Sequence, residues 1–148
     1  MMGWLRKGAR GSALAWTAVV LAVVVLPLTL LLIDGARILY ADTRLQDATD
    51  AACEALAQAS IYEQVQQFQQ SGKIKPRLSY RSRRAASAVF AQTIGNDPVL
   101  KDAHPALSLS VSGGLPLCTA SASVQALFLN YTTHLRAASV PSARGSRR

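Results

Sequence analysis

The sequence is poor in the residue types on which catalytic and metal sites depend. Its 148 residues include two cysteines, two histidines and eight acidic residues. Neither His104 nor His134 has a Cys, Asp or Glu partner at the spacing of a metal site or a catalytic triad. No serine lies in a G-x-S-x-G turn, and Gly8–Gly11 lacks the lysine and hydroxyl of a phosphate loop. We therefore expect a protein that is not an enzyme and that uses no cofactor or metal.

Acidic residues are also unevenly placed. The chain has 16 Lys and Arg against 8 Asp and Glu, but the acids are concentrated in residues 34–71 and the bases beyond them. Such a basic run is typically a solvated face, although it could contact an acidic helix of another subunit or bind an anionic polymer such as DNA or cell-wall glycan. No nucleic-acid motif accompanies the run, so specific nucleic-acid recognition is not expected. The densest basic run, called here the basic patch, comprises Lys73, Lys75, Arg77, Arg81, Arg83 and Arg84.

One long run, residues 13–33, has no charge at all and is almost entirely apolar. As a helix it would be about 32 Å long, enough to cross a hydrocarbon core of about 30 Å, and a helix pairs its own backbone groups in lipid. We predict a transmembrane helix at 13–33, with membrane lipid as partner. A buried core helix and a cleaved secretory signal remain alternatives, although the nearest A-x-A pattern, at Ala55–Ala57, lies far downstream.

The charges beside this run predict its orientation. Arg6, Lys7 and Arg10 precede it within residues 1–12, and the bases that follow it are diluted by acids. The excess of Lys and Arg before the span places the N-terminus in the cytoplasm. We therefore expect a single pass through the cytoplasmic membrane, with the rest of the chain on the extracytoplasmic side.

After the span, small apolar residues recur at alternating spacings of three and four. This is the pattern of a heptad seam, and the alanines permit close approach of whatever packs on it. The seam could pack on the chain's own head or on another subunit, including a second copy of this chain, and the pattern does not decide between them. Its members are Ile38, Ala41, Leu45, Ala48, Ala52, Ala55 and Ala59.

The remaining elements predict a small head. Residues 34–71 form an extracytoplasmic helical stalk that ends at Ser71-Gly72, and residues 72–131 form the head. Within it, residues 82–94 predict a helix and two alternating stretches, 107–111 and 120–128, predict strands. Residues 132–148 predict a basic, flexible tail. The expected fold class is membrane-anchored α+β: one long N-terminal helix carrying a small αββ head, in the manner of a pilin.

The two cysteines, Cys53 and Cys118, both lie on the side assigned to the outside. An even count in an oxidising compartment favours a disulfide, and their spacing is that of no redox or zinc motif. Such a bond would join the stalk to the head. Two separately buried thiols and intermolecular bridges are the alternatives.

The stretch from Arg10 to Ala59 resembles the N-terminal region of TadE/TadG-like proteins of the Tad (Flp) pilus, a type IV-like system. The resemblance rests on Arg10-Gly11, Leu26-Pro27, Asp34 with Arg37 and Tyr40, and above all the run 45–52, LQDATDAA. It implies a bacterial envelope protein: a minor pilin-like subunit or an assembly protein, with other pilus subunits as partners. The position where pilin-type precursors carry a glutamate holds Trp16, and the metal-binding D-x-S-x-S cluster of larger TadG-like proteins is absent. The alternative is a membrane-anchored surface protein whose basic head binds an anionic polymer.

Overall fold

A computed structural model describes residues 7–72, 78–112, 115–128 and 131–141. Its first half is one nearly continuous helical stretch: helix α1 at Lys7–Val20, a π-helical turn at Leu21–Val25, and helix α2 at Leu26–Ser71. At 1.5 Å per residue this stretch is roughly 100 Å long. The part of this stretch near the N-terminus is long and apolar enough to cross a membrane, and none of that apolar part is buried within the chain. The expected long N-terminal helix is therefore present.

The π-helical turn precedes the one proline of the helix. Pro27 has no N–H, and its ring would clash with the carbonyl four residues earlier in a regular α-helix. The wider turn before it, in which the Leu26 N–H bonds the Leu21 carbonyl, relieves that crowding. The helix thus continues through Pro27 into the head.

Helix α2 ends where the Ser71-Gly72 pair predicts. Gly72 adopts the left-handed conformation, with φ of 62°, and its N–H bonds the carbonyl of Phe68 at 2.9 Å. A glycine takes this conformation without the steric cost that a side chain imposes.

Two further helices follow, and both start at side-chain caps. Ser79 caps α3, Tyr80–Gly95, by accepting from the Ser82 N–H, and its hydroxyl donates to Glu63 of α2 at 2.6 Å. Asp97 caps α4, Pro98–Lys101, which sequence patterning missed. Because Ser79 is bonded to α2 at Glu63, α3 begins far from the apolar run and returns toward it alongside α2.

A three-stranded antiparallel sheet completes the head in the order β1-β2-β3, with β1 at Ala106–Ser112, β2 at Leu115–Gln125 and β3 at Thr132–Ser139. The third strand corrects the prediction of a flexible tail from residue 132 and of only two strands. Its Leu135 pairs with Ala122, and Ala137 pairs with Ala120, and these two residues of β3 are buried in the core. Residues 142–148 of the predicted tail lie outside the described residues.

The head has two layers, helices on one face of the sheet. Helix α2 packs on α3, on α4, and on strands β2 and β3. The core is rich in alanine, which keeps the layers close together. It comprises Ala41, Leu45, Ala48, Ala52, Cys53 and Leu56 of α2, Ala86, Phe90 and Ile94 of α3, Leu100 and Ala103 around α4, and Cys118, Ala120, Ala122, Val124, Leu135 and Ala137 of the sheet.

Candidate functional site

The predicted seam lies inside the head. Ala41, Leu45, Ala48 and Ala52 are fully buried in the core shared with α3 and the sheet. Ile38 packs on the edge of that core, while Ala55 and Ala59 are only half-buried. Of the two alternatives that the sequence leaves open, the structure adopts packing on the chain's own head.

The buried face departs from the heptad at its far end, where Cys53 and Leu56 replace Ala55. A straight α-helix has 3.6 residues per turn, so its buried stripe drifts by about 20° per heptad unless the helix supercoils. The observed shift of the buried residues to Cys53 and Leu56 is the one expected for a straight helix that packs on a globular head.

The two cysteines are joined. A disulfide links Cys53 of α2 to Cys118 of β2, with their Cα atoms 5.7 Å apart, and both residues are fully buried. The Cys53 sulfur also lies 3.4 Å from the carbonyl oxygen of Ser139 in β3. The predicted intramolecular pairing is thus present, and it ties the long helix to the middle of the sheet.

The junction between the apolar run and the head is organised by Asp34, whose side chain is 2% exposed. Its carboxylate accepts hydrogen bonds from the backbone N–H groups of Leu127 at 2.9 Å and Phe128 at 3.1 Å. These residues follow strand β2, and the Ala126 N–H bonds the Tyr131 carbonyl at 3.0 Å to close the connection to β3. Sequence reasoning noted Asp34 but missed this role; the available signal was an acid placed directly after an uncharged run.

A second acid, Asp97, ties α4 to the long helix. One of its oxygens accepts from the backbone N–H groups of Val99 and Leu100, and the other lies 3.8 Å from Arg44 Nε. Arg44 also donates to the Tyr40 hydroxyl at 3.2 Å and lies over the Tyr40 ring. The Tyr40 hydrogen bond, followed by the nearby acids, raises the pKa of the Arg44 guanidinium above its ordinary value.

The basic patch is described only in part. Arg81, Arg83 and Arg84 lie at the start of α3 with exposed side chains, whereas Lys73, Lys75 and Arg77 fall outside the described residues. These positive charges lie at the N-terminus of α3, which is the positive end of the helix dipole. The first turn of α3 contains no acid that would offset them. Of the residues predicted to set topology, Lys7 and Arg10 belong to α1, and Arg6 is outside the described part.

The clefts described in the head are open to solvent. One cleft of about 540 Å³ lies between α2, α4 and the sheet and includes Arg37, His104, Gln125, Leu127 and Thr132. The Nε atom of Arg37 is buried there without a hydrogen-bond partner. Within the described part of the chain no group of His, Cys, Asp and Glu could hold a metal ion.

Comparison with known proteins finds a similarity in the N-terminal part of the chain. No curated protein and no solved structure matches the chain significantly. One family model matches, that of the TadE-like protein, over residues 11–53. This segment contains the apolar run, Asp34, five of the seven seam residues and Cys53, and it agrees with the resemblance read from Arg10–Ala59. Over residues 11–53 the chain is therefore similar to the TadE-like protein family.

Proposed function

We propose that the chain is a non-enzymatic, single-pass component of a Tad (Flp) type pilus, either a minor pilin-like subunit or an assembly protein. The observation that carries the proposal is the TadE-like match over residues 11–53, which covers the proposed span and α2 as far as Cys53. The N-terminus lies in the cytoplasm, the apolar run crosses the cytoplasmic membrane, and the head is extracytoplasmic. The buried disulfide supports this orientation, because disulfides persist in oxidising compartments.

A stripe on the far part of α2 offers a surface for another pilus subunit. Ile61, Tyr62, Val65 and Phe68 recur at helical spacing beyond the buried seam, and each is at least half exposed. Exposed apolar side chains clustered in this way are typical of protein contacts. The proposed partner is another subunit of the pilus apparatus or a second copy of this chain.

A deletion in the native host tests the proposal. Removal of the gene should abolish or strongly reduce surface pili, and the intact gene supplied in trans should restore them. Mass spectrometry of sheared pili then separates the two roles, because a minor subunit is recovered in the pilus fraction and an assembly protein stays with the membrane. Unchanged piliation in the deletion strain would refute the proposal.

A matched pair of variants tests the stripe. Phe68→Glu should reduce crosslinks from the chain to its pilus partners, because burying a charge in an apolar contact is unfavourable. Gln66→Glu introduces the same charge on a neighbouring exposed position and should leave the crosslinks unchanged. Equal crosslinking in both variants would remove the stripe from consideration.

The alternative function is binding of an anionic polymer by the basic patch. The exposure of Arg81, Arg83 and Arg84 at the positive end of α3 favours it, since an anion there would relieve their mutual repulsion. It predicts that the head retains DNA or glycan strands at low salt and releases them as salt rises. Absence of binding at low salt would exclude it.

A further inference from the structure

The connection between β2 and β3 lies at the level where the proposed membrane span ends. Asp34 directly follows Ile33, the last residue of the apolar run, and its carboxylate bonds the backbone of Leu127 and Phe128 within 3.1 Å. The side chains on these two backbone positions therefore start within about one helical turn of the end of the hydrocarbon core.

The contact reaches the last turns of the span itself. Leu30 lies four residues before Asp34 and so on the same helix face. It is half-buried, whereas the other residues between 13 and 33 are exposed. The head thus covers one side of the helix at the height at which the helix leaves the proposed membrane.

The described side chains of this connection are those that favour a membrane interface. Leu127, Phe128 and Tyr131 are 62%, 53% and 47% exposed, although each is large and mainly apolar. Leu39 and Tyr40 add two more exposed side chains just above Asp34 on α2. Aromatic residues with a polar end are enriched where hydrocarbon meets headgroups, and apolar neighbours insert below them.

Arg37 supplies a positive charge beside this surface. It lies one helical turn after Asp34, and it lines the same cleft as Leu127, with its Nε buried and without a protein hydrogen-bond partner. The Arg37 residue as a whole is only partly buried, so at headgroup height its positive charge can attract a lipid phosphate.

We propose that Leu127, Phe128 and Tyr131 form a second membrane contact, which inserts into the interface beside the span and fixes the head against the bilayer surface. The occupant of this surface is the lipid bilayer. Asp34 is the positioning residue, because its two hydrogen bonds hold the connection against the helix. The inference rests on the proposed membrane anchoring and adds a second point of attachment to it.

Tryptophan quenching in the full chain tests the contact. A Phe128→Trp reporter, with Trp4 and Trp16 replaced by Phe, is placed in vesicles of phosphatidylethanolamine and phosphatidylglycerol. A lipid quencher near the headgroups should quench it strongly, and aqueous acrylamide should quench it several-fold less than a matched Tyr80→Trp reporter. Tyr80 is a suitable control because it is 80% exposed and adjoins Ser79, which bonds Glu63, about 43 Å along α2 from Asp34.

Two further arms make each outcome decisive. A chain that retains only Trp16 reports on the span, and a lipid quencher on the acyl chains close to the headgroups should quench it, because Trp16 lies near the cytoplasmic end of the run 13–33. Asp34→Asn in the Phe128→Trp reporter should increase acrylamide quenching and weaken headgroup quenching, while Asp34→Asn in the chain that retains only Trp16 should leave the lipid quenching of Trp16 unchanged.

The results separate this inference from the membrane anchoring. If lipid quenches Trp16 but the Phe128→Trp reporter behaves like the Tyr80→Trp reporter, the anchor stands and the second contact is refuted. If the position-128 indole is shielded from both acrylamide and lipid quenchers, a protein covers the surface and the bilayer is the wrong occupant. If Trp16 itself is not quenched by lipid, the anchoring fails.

Discussion

Cys53 and Cys118 stand 65 positions apart in the sequence, yet a disulfide joins them at the centre of the head, between the long helix and the middle strand of the sheet. The bond closes a loop that contains α3, α4 and β1. Helix and sheet therefore remain joined when the alanine-rich core around them loosens.

Removal of this bond should weaken the head strongly. In the chain-entropy model a loop of this length contributes about 4 kcal/mol to the free energy of unfolding. The double variant Cys53→Ser with Cys118→Ser should lose about that amount in denaturant unfolding of the purified chain. Mass spectrometry of unreduced protein from the envelope provides the direct check, and two alkylatable thiols in that material would contradict the disulfide.

A single charge introduced into the buried seam should unfold the head. Ala48 has no exposed surface, so Ala48→Glu would bury an unpaired carboxylate and should cost several kcal/mol, enough to unfold the head. Gln58→Glu places the same charge on an exposed position of the same helix and should change stability little. Circular dichroism through a thermal melt distinguishes the two. A folded Ala48→Glu head would mean that the seam does not pack on it.

Two glycines on α2 should respond to alanine with opposite signs. Gly72→Ala forces a side chain into the left-handed conformation and should destabilise the head by about 1 kcal/mol. Gly35 lies within the helix, with nothing within 4 Å of an added Cβ, so Gly35→Ala should stabilise by up to about 1 kcal/mol. Equal effects in denaturant unfolding would contradict the assigned helix end.

The Asp97 side chain should matter far more as a cap than as an ion-pair partner. Asp97→Ala leaves two backbone N–H groups of α4 without their acceptor and should cost about 1 kcal/mol or more. Arg44→Ala removes an exposed, solvent-screened partner at 3.8 Å and should lower the free energy of unfolding much less than Asp97→Ala does. An equal loss of unfolding free energy in the two variants would show that the ion pair, and not the cap, dominates.

The sequence predicts those parts of the fold that depend on local chemistry. The helix end at Gly72, helix α3, strand β1 and the cysteine pair all follow from short patterns. The third strand does not, because only Leu135 among its inward residues is large, and Thr133 and Ala137 give little alternating signal. Pairing with β2 and packing on α2, both long-range, stabilise it.

For the candidate sites, too, the sequence predicts features that depend on local residues and does not predict those that depend on distant contacts. The seam can be read from spacing, but its partner cannot, because an alanine stripe fits a neighbouring subunit and an intramolecular sheet equally well. The role of Asp34 depends on backbone N–H groups more than 90 positions away, which no pattern around it encodes. The α4 cap at Asp97-Pro98 is a local signal that the sequence analysis interpreted only as the end of the preceding helix.

The central claim is a retained single span with the head outside the cell, and protease accessibility in spheroplasts tests it most directly. The intact chain should stay in the membrane fraction after carbonate washing. Protease added outside whole spheroplasts should remove an epitope at the C-terminus. A soluble mature protein that begins beyond residue 33, or an epitope protected until the membrane is broken, would contradict it.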